Sequence, residues 1–269
     1  SLLNKLIGTK ISATSHKAQT TRNNIRGILT EGDTQIVFID TPGIFTPKCS
    51  LETKIVTVAK SSLQDVELIC LVIDIIKGID KTAKNILEKH NREEQPIVVI
   101  INKTDKAKEP AILQMAQELA TTYQIKDIFF SSCTKNKGIE SIKKFLHSKA
   151  QEDHWYYDPN TKTDRESDFV ASEITREKLF NIIRHEIPYG INVVTKSIKP
   201  EEDNIFTIHQ DIIISHKRHK PIIIGNKGEQ LKSIALMATK DLEGIFNCKV
   251  KLYLSIKVNP KWIDSWDNI

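Results

Sequence analysis

"VFIDTPG", residues 37–43, is an apolar run that ends in an aspartate and is followed at once by a Pro-Gly turn. An aspartate at the carboxyl end of a buried strand can hold a magnesium ion beside a nucleotide phosphate. We therefore predict that Asp40 holds magnesium through a water molecule and that the backbone N–H of Gly43 reaches a terminal phosphate oxygen. Thr41 and Pro42 complete this candidate phosphate-side loop. Such a loop requires a sheet whose strands end at one edge, so this stretch decides the fold.

The sequence around this stretch alternates strands with helices from residue 34 to residue 150. Four short runs rich in Ile and Val are typical of strands that are buried on both faces. The segments between them carry apolar residues at helical spacing. The alternation predicts an α/β domain with a doubly wound, mostly parallel sheet. The strands are expected at 34–40, 67–74, 96–102 and 127–132, and the helices at 51–64, 81–94, 107–123 and 138–149.

After a polar, aperiodic segment at residues 151–168, the pattern changes to that of an α+β domain. An amphipathic helix is followed by two segments that alternate as antiparallel strands do. A strand, a Gly-x-x-Gly turn and a helix come next, and a last strand alternates Lys with apolar residues. In chain order the helix lies at 169–187, the two strands at 191–199 and 204–215, the strand, turn and helix at 221–246, and the last strand at 248–258.

Composition narrows the class of protein. The 269 residues suffice for two domains, and 39% hydrophobic with 27% charged residues is ordinary for a globular chain. The four cysteines lie far apart without a Cys-x-x-Cys pair, so we expect reduced thiols in a cytosolic protein rather than disulfides or a zinc site. No apolar run reaches the roughly 18 residues that span a bilayer.

The net charge of +5 is unevenly distributed. Residues 215–261 hold ten Lys or Arg against three acids, and residues 10–26 hold four Lys or Arg without an acid. Localised positive charge favours a polyanionic partner. A solvated basic face explains the same charges until a binding motif is found within them.

Two further motifs follow predicted strands. Asp105, in the sequence Asn102-Lys103-Thr104-Asp105, can accept both N–H groups of the guanine Watson–Crick edge, a charge-assisted pair that adenine cannot match. Asn102 would bond the base and hold neighbouring loops, and the Lys103 stem would lie along the purine face. In Ser131-Ser132-Cys133 a backbone N–H can meet the guanine carbonyl oxygen. Each motif alone is usually a turn or a solvated loop, but three in this order at strand ends predict a guanine-nucleotide site.

On these residues the chain resembles the Era family of bacterial ribosome-assembly GTPases, and residues 1–150 look like their GTPase domain. In that family a phosphate loop ending in Gly-Lys-Ser-Ser/Thr stands before Leu-Leu-Asn-Lys-Leu, and this chain begins with "SLLNKL", residues 1–6. The resemblance implies a P-loop GTPase fold whose first strand and phosphate loop precede residue 1. By itself the chain is then expected to be inactive.

"KAQTTRNNI", residues 17–25, is similar to the first switch of the family. The resemblance implies that Thr21 ligates magnesium through its hydroxyl, with Thr20 as the alternative, and that Thr21, Asp40 and Gly43 form the catalytic set acting on GTP. Ile44 stands where many GTPases place a water-orienting Gln. Slow hydrolysis would then depend on electrostatic stabilisation, by a potassium ion or by a partner. Cys133 replaces the usual Ala of the family at small cost, because its backbone is the contacting group.

Residues 169–269 resemble the RNA-binding KH domain of the same family, of type II-like topology. Two glycines let the backbone approach a sugar-phosphate chain, and N–H groups at a helix start attract phosphate oxygens. A lone Gly-x-x-Gly is usually only a turn, but within the basic segment it favours RNA. The candidate RNA-binding residues are Ile224, Gly225, Asn226, Lys227, Gly228 and Lys232, beside an apolar groove expected to be lined by Ile222, Ile224, Leu231 and Ile234.

The resemblance implies a cytoplasmic, monomeric switch that binds and hydrolyses GTP to GDP with magnesium, binds the 3′ end of 16S ribosomal RNA and assists assembly of the 30S subunit. Peripheral association with the inner membrane stays open. The expected organisation is a GTPase domain at 1–150, a linker at 151–168 and a KH domain at 169–269. The alternative is a non-catalytic RNA-binding protein with a degenerate nucleotide domain.

Other conspicuous residues receive ordinary interpretations. Asp80, Glu173 and Glu177 are expected at helix surfaces or caps rather than as an acid/base pair. Trp155 and Trp262 are expected to pack at the linker and the tail, together with Trp266.

Overall fold

The chain forms two compact units. The computed structural model describes residues 1–14, 24–42, 53, 56–57, 59, 66–93, 96–183 and 190–262. By its contacts the first unit comprises residues 1–8 and 26–162, and the second comprises residues 9–25 and 163–269. The division into 1–150, 151–168 and 169–269 stays a prediction. Within the described ranges, no helix has both the length and the apolar character to cross a bilayer.

A parallel sheet of three strands lies at the centre of the first unit. Its order is β3–β4–β5, and both pairings are parallel, which confirms the predicted doubly wound sheet. The predicted helix at 51–64 falls mostly outside the described residues. The elements of the first part of the chain are α1 (Leu2–Ile7), β1 (Ile25–Glu31), β2 (Thr34–Asp40), β3 (Ile69–Asp74), α2 (Lys81–Glu93), β4 (Ile97–Asn102), α3 (Glu109–Thr122), β5 (Ile128–Ser131) and α4 (Ile139–Lys149).

Helices cover both faces of this sheet. On one face Val99 and Ile101 of β4 belong to a buried cluster with residues of α2 and α3, among them Leu119. On the other face Ile100 belongs to a cluster with Ile142 of α4 and Leu6 of α1. Since successive side chains of a strand point to opposite faces, the uninterrupted apolar run of β4 supplies both cores.

β2 differs from the sequence-based expectation. It lies in a separate two-stranded sheet with β1, a strand that the alternation pattern did not predict. Only Gly32 and Asp33 connect the two strands, and so short a connection makes a hairpin, with Gly32 at φ +57°. β1 is also held by the Ile28 N–H, which donates to the carbonyl oxygen of Lys162 at 2.9 Å. The alternation of strands and helices could not reveal that β2 pairs with β1, because the short turn at Gly32 and Asp33 determines this pairing.

The second unit is α+β, as predicted, and contains a three-stranded sheet in the order β6–β7–β8. β6 and β7 are antiparallel with an irregularity between Thr195 and Ser197, and β8 pairs with β7 in parallel. One face of the sheet packs on two helices through a buried core that includes Ile174, Ile208 and Leu242. Its elements are α5 (Ser167–Ile182), β6 (Ile191–Glu201), β7 (Ile205–Ile214), α6 (His219–Ile224), α7 (Glu229–Phe246) and β8 (Lys249–Val258).

The predicted strand before the Gly-x-x-Gly turn is wrong, since these residues form helix α6. Ile222, Ile223 and Ile224 make a short apolar run, and periodicity cannot separate a strand from one buried helical turn over so few residues. Ile223 is fully buried and packs in the same cluster as Ile212 and Ile234. The turn is therefore framed by two helices.

The expectation for Glu173 and Glu177 is also wrong, because both are buried. Glu173 accepts a bidentate contact from Arg176, whose side chain is 2% exposed. Asp80 is a cap as predicted: its carboxylate accepts the backbone N–H of Ala83 at 2.8 Å. Residues 170–180 of helix α5 are all buried, so the helix has no solvent-exposed face there. Its charged side chains are therefore paired with groups of opposite charge within the second unit.

Glu177 belongs to an ionic cluster of two carboxylates and two ammonium groups, in which Glu177 and Lys178 are buried and Lys10 and Asp241 are partly buried. Lys10 lies 2.7 Å from Glu177 and 2.6 Å from Asp241 of α7, and Lys178 lies 2.9 Å and 2.5 Å from the same two carboxylates. The second oxygen of Glu177 accepts the backbone N–H and the hydroxyl of Thr14, at 2.7 and 3.0 Å. The cluster thus ties residues 10–14 to α5 and α7.

The pKa values of this cluster follow from its contacts. Burial acts to raise the pKa of Glu177 and of Asp241, but hydrogen bonds from Lys10 and Lys178 outweigh it and lower both pKa values. Burial acts to lower the pKa of Lys178, and its bonds to Asp241 and Glu177 outweigh that and raise it. Glu177, Asp241 and Lys178 are therefore charged at neutral pH, and the two carboxylates stabilise the folded state above their ordinary pKa values.

The described tryptophans differ in exposure. Trp262 is 1% exposed, and its indole N–H donates to the hydroxyl of Ser215 at 2.9 Å, which confirms that it packs. Trp155 is 40% exposed, and its indole N–H donates to the carbonyl oxygen of Asp33 at 3.2 Å. Trp266 lies outside the described residues.

We predict that Glu177→Gln lowers the free energy of unfolding by about 3 kcal/mol at pH 7, because the buried Lys178 and the partly buried Lys10 then share one carboxylate. Urea denaturation followed by fluorescence measures this change. Since the lowered pKa values make wild-type stability fall as the pH drops from about 5 to 3, the variant should show a shallower fall over that range.

Glu201→Gln is the matched control for this prediction. Glu201 also holds a lysine, Lys251, at 2.7 Å, but both side chains are largely exposed at 40% and 51%. Its loss should change the free energy of unfolding little. Equal losses in the two variants would show that burial of the Glu177 cluster has no energetic consequence.

Candidate nucleotide and RNA sites

The parallel register brings the ends of three strands to one edge. Asp74 is paired with Asn102, and Asn102 with Ser131, at the carboxyl ends of β3, β4 and β5. Because the strands are parallel and in register, the loops that follow them emerge side by side. The structure thus joins Asn102-Lys103-Thr104-Asp105 to Ser131-Ser132-Cys133.

Asn102 holds these loops together through its side-chain oxygen. That oxygen accepts the backbone N–H of Lys103 at 2.7 Å and the hydroxyl of Ser131 at 3.2 Å, and the Cys133 thiol lies 3.6 Å away. The hydroxyl of Thr104 donates in turn to the carbonyl oxygen of Ser131, at 3.0 Å. These contacts join the two loops, as the predicted role of Asn102 requires, and Ser131 is completely buried.

Asp105 presents an exposed carboxylate above these loops. Its Oδ1 accepts the hydroxyl of Ser132 at 2.5 Å, and this bond lowers the pKa of Asp105. Ser132 is itself buried, and its hydroxyl is hydrogen-bonded to Thr134 and to the backbone N–H of Lys135. The Asp105 carboxylate is therefore held by a side chain whose own position is fixed. An oriented, charged carboxylate is what bidentate recognition of two N–H donors requires.

Lys103 takes a left-handed conformation, with φ +62°, and its ammonium group lies 2.7 Å from the Asp74 carboxylate. Burial acts to raise the pKa of Asp74, but the bonds from Lys103 and from the Ile76 N–H lower it. The sequence reasoning missed Asp74. Asp74 could have been identified as a candidate site residue because, like Asp40, it lies at the end of an apolar strand.

Gly138 fixes the other end of the Ser131–Cys133 loop. Ser132 and Lys137 exchange two backbone hydrogen bonds of 3.0 Å, and Gly138 follows with φ +76°. A Cβ at this glycine would lie 1.9 Å from the carbonyl oxygen of Phe130. The loop closes only because residue 138 has no side chain, and this constraint is absent from the motif that the sequence reveals.

The phosphate-side residues are described in part. Asp40 ends β2, and Thr41 and Pro42 follow it. Gly43, Thr20, Thr21 and Ile44 lie outside the described residues. Asp40 belongs to the hairpin sheet and not to the sheet of β3–β5, so backbone pairing does not join it to the base-side loops.

The donors assigned to magnesium fit a hard cation. The Asp40 carboxylate, which acts through a water molecule, and the Thr21 hydroxyl both present oxygen atoms, and magnesium commonly keeps several waters and takes one or two protein ligands beside substrate phosphates. The described part of the chain contains no group of three or more His, Cys, Asp or Glu side chains arranged to hold a metal. Among the described cysteines, Cys70, Cys133 and Cys248 form no disulfide.

The Gly-x-x-Gly turn links α6 to α7 through three unusual backbone conformations. Gly225, Lys227 and Gly228 have φ values of +74°, +48° and +83°. A Cβ at Gly225 would lie 2.7 Å from the Cβ of Gln230, whereas Gly228 has open space. Lys227 is exposed at the tip of the turn, and Lys232 is exposed on the first turns of α7.

The predicted apolar groove is only partly available. Ile222 is 45% exposed, and Ile224 and Leu231 are half-buried, so these three can meet a ligand. Ile234 is fully buried and belongs to the core, which corrects its assignment to the groove. Residue 234 lies on the inward face of α7, and apolar residues near a turn do not reveal which face they occupy.

Two family models match the chain. One is described as a 50S ribosome-binding GTPase and covers residues 1–103, and the other is a KH domain that covers residues 186–263. Proteins named GTPase Era are similar over almost the whole length. The one from Mesorhizobium japonicum is 36% identical over 98% of this chain and 85% of its own. The one from Clostridium kluyveri is 36% identical over 98% of this chain and 90% of its own.

Two solved structures of Era are similar in fold. One is Era in complex with MgGDPNP and nucleotides 1506–1542 of 16S ribosomal RNA, with a TM-score of 0.90, 34% identity and coverage of 97% of this chain and 89% of the other. The second is an Aquifex aeolicus Era variant bound to GDP·AlF4⁻, with a TM-score of 0.91, 34% identity and coverage of 97% and 90%.

We predict that Gly138→Ala destabilises the first unit by more than Gly32→Ala does. Both glycines have positive φ, but a methyl group added at Gly32 would meet no atom within 4 Å, so that variant carries only the backbone strain. The clash with Phe130 should add about 1–3 kcal/mol at residue 138. Urea denaturation of both variants measures the difference, and equal losses would contradict the close packing assigned to Gly138.

Proposed function

This chain belongs to the Era family of GTPases, and we propose that it binds GTP and hydrolyses it to GDP as a switch that controls binding of ribosomal RNA. The observation that carries the proposal is the anchored carboxylate of Asp105 beside Asn102 and the Ser131–Cys133 loop. Ser132 donates to Asp105 at 2.5 Å and Ser131 donates to Asn102 at 3.2 Å. This arrangement orients acceptors and backbone donors toward one face, as guanine recognition requires.

The base-side residues have separate roles in this proposal. Asp105 accepts the two N–H donors of guanine, while a backbone N–H of Ser132 or Cys133 donates to its carbonyl oxygen. Lys103 keeps its charge near Asp74, and its stem forms one side of the base site. Asn102 holds the two loops at a fixed distance, so that base recognition does not require them to rearrange.

On the phosphate side, Thr21 is the proposed magnesium ligand, Asp40 holds the ion through a water molecule, and Gly43 is the proposed backbone donor to the terminal phosphate. A magnesium ion there supplies positive charge to the phosphate oxygens. Thr41 and Pro42 set the path of the chain from β2 to Gly43. Ile44 cannot orient water, so we expect hydrolysis to be slow and to depend on a potassium ion or on the RNA-bound state.

For the second unit we propose that the Gly-x-x-Gly turn binds single-stranded RNA at the 3′ end of 16S ribosomal RNA. Gly225 lets the backbone approach a sugar-phosphate chain, and Lys227 and Lys232 supply exposed charge. Ile222, Ile224 and Leu231 offer apolar contact to unstacked bases. We further propose that the protein acts in the cytoplasm as a monomer in assembly of the 30S subunit, with any contact to the inner membrane peripheral.

Asp105→Asn tests the base-reading assignment. We expect its affinity for GTP to fall roughly 10- to 100-fold, because a charged acceptor of two N–H groups is lost. Affinity for xanthosine triphosphate should rise, since xanthine presents a carbonyl acceptor to the new amide. Equilibrium titration with fluorescent nucleotides measures both constants.

The matched control is Glu109→Gln, which removes a carboxylate at the start of α3 near the same loop. It should leave both affinities unchanged. Unaltered selectivity in Asp105→Asn would refute the role assigned to residue 105.

Asn226→Asp combined with Lys227→Asp tests the RNA site without changing either glycine. Aspartate tolerates the left-handed conformation of residue 227, and the two acids should repel phosphate. We expect binding of an RNA equivalent to nucleotides 1506–1542 to fall at least roughly 10-fold, with nucleotide affinity unchanged. Fluorescence anisotropy measures the RNA affinity.

Lys240→Asp combined with Asn247→Asp is the control, because it makes the same change of charge at the far end of α7. Residue 247 is also left-handed, at φ +50°, so the backbone demand is matched. Equal loss of RNA affinity in both double variants would mean that overall charge, and not the turn, determines binding.

A further inference from the structure

One face of the sheet in the second unit is open and carries a pair of aromatic rings. The other face packs on α5 and α7, so Ile208, Ile212 and Leu242 are buried there. The alternating residues of β7 and β8 therefore point away from the helices. Among them are His209 and Tyr253, which are directly paired across the two strands and stack with ring centroids 4.9 Å apart and planes inclined by 13°.

These rings are exposed and not part of a core. Tyr253 is 54% exposed, and His209 is also exposed. Cross-strand stacking explains their contact with each other. It does not explain why two rings lie at the surface, where short polar side chains would keep an edge strand soluble equally well.

Lysines surround the pair. Lys251 and Lys257 lie two residues before and four residues after Tyr253 on the same face of β8, and Lys199 lies on β6 opposite Thr207. All three are exposed. Among the described residues, Lys199 and Lys257 have no carboxylate within salt-bridge distance, whereas Lys251 pairs with Glu201.

The acids on this face are already engaged by neighbours. Glu201 accepts bonds from Lys251 and from the Thr207 hydroxyl, at 2.7 and 2.5 Å, and Asp211 accepts the hydroxyl of Ser255. Lys199 and Lys257 therefore offer positive charge on both sides of the aromatic pair, whereas Lys251 is paired with Glu201 and Asp211 is held by a neutral hydroxyl group. Charge of this sign disfavours a second copy of the same face and complements a polyanion.

We propose that this open sheet face, defined by His209, Tyr253, Lys199, Lys251 and Lys257, is a second RNA-binding surface. Lys199 and Lys257 bind phosphates, Lys251 borders the surface through its pair with Glu201, and an unstacked base lies on the free side of the aromatic pair, since every base has a π-face. The Gly-x-x-Gly turn belongs to the helical layer on the opposite side of the sheet. A KH turn holds about four nucleotides, so only an RNA that extends beyond it can use both surfaces.

The inference rests on the proposed RNA-binding function, and the length of the RNA separates the two. A probe of about four nucleotides tests the turn, and one equivalent to nucleotides 1506–1542 tests both surfaces. We expect His209→Ala combined with Tyr253→Ala to weaken binding of the long probe roughly 10- to 100-fold and to leave the short probe unchanged. Tyr253→Phe retains a ring and should keep the long-probe affinity.

Two further variants complete the experiment. Tyr156→Ala removes an aromatic ring that is 67% exposed in the other unit, and it should have no effect. Lys199→Gln with Lys257→Gln should reduce the salt dependence of long-probe binding by about 0.7 in logarithmic slope for each lysine–phosphate interaction removed. This pair keeps the proposal testable if the double alanine variant does not fold.

Unchanged affinity and salt slope for the long probe in these variants would overturn the proposal. The proposal would also be overturned if the wild-type protein sedimented as a dimer and the variants as monomers with unchanged RNA affinity. The face would then join two copies of the chain. Failure of the short probe to bind the wild-type protein would instead refute the proposed role of the turn, and it would leave the long-probe comparison as the measure of the sheet face.

Discussion

The in-register parallel pairing of β3, β4 and β5 is the constraint on which the nucleotide site depends. It aligns Asp74, Asn102 and Ser131 at one edge of the sheet. Once these residues are aligned, short hydrogen bonds suffice to orient the loops that follow: Ser131 to Asn102, Ser132 to Asp105 and Lys103 to Asp74. The pairing is stabilised by β4, whose successive apolar residues enter the cores on both faces. Recognition chemistry at the edge is thus supported by hydrophobic burial within the sheet.

The second unit is subject to a different constraint, because its first helix, α5, carries charged residues that are buried. Burial of Glu173, Arg176, Glu177 and Lys178 is tolerated since each charge has a partner of opposite sign. The net stabilisation from a buried pair is small because desolvation of the charges offsets their attraction, and the pair of Lys178 with Asp241 joins α5 to α7. Lys10 and Thr14 join this cluster, so residues that precede the segment resembling the first switch are held by the same carboxylates as α5 and α7. Asp241 stands on the helix that begins at the Gly-x-x-Gly turn.

Membership of the Era family connects these features to one activity. In the proposed function the carboxylate of Asp105 accounts for guanine selectivity, and the turn from Gly225 to Gly228 accounts for contact with RNA. The open sheet face adds a third surface, on the side of the sheet away from the turn. If both RNA surfaces are used, affinity for a long RNA exceeds that for a short one because the second contact is intramolecular.

The sequence alone determined the class of fold, and it located both motifs and predicted their chemistry. Apolar strands that end in Asp40, Asn102 or Ser131 carry a strong local signal, as does a Gly-x-x-Gly turn in a basic segment. The sequence did not reveal that residues 219–224 are helical, that β2 pairs with β1, or that Ile234 and Glu177 are buried. Short apolar runs fit a strand and a helical turn equally well, and burial of a charge depends on partners more than 150 residues away, as for Lys10 and Glu177. Only the tertiary structure decides such matters, because the free energy of these contacts resides in pairs of residues that local sequence does not bring together.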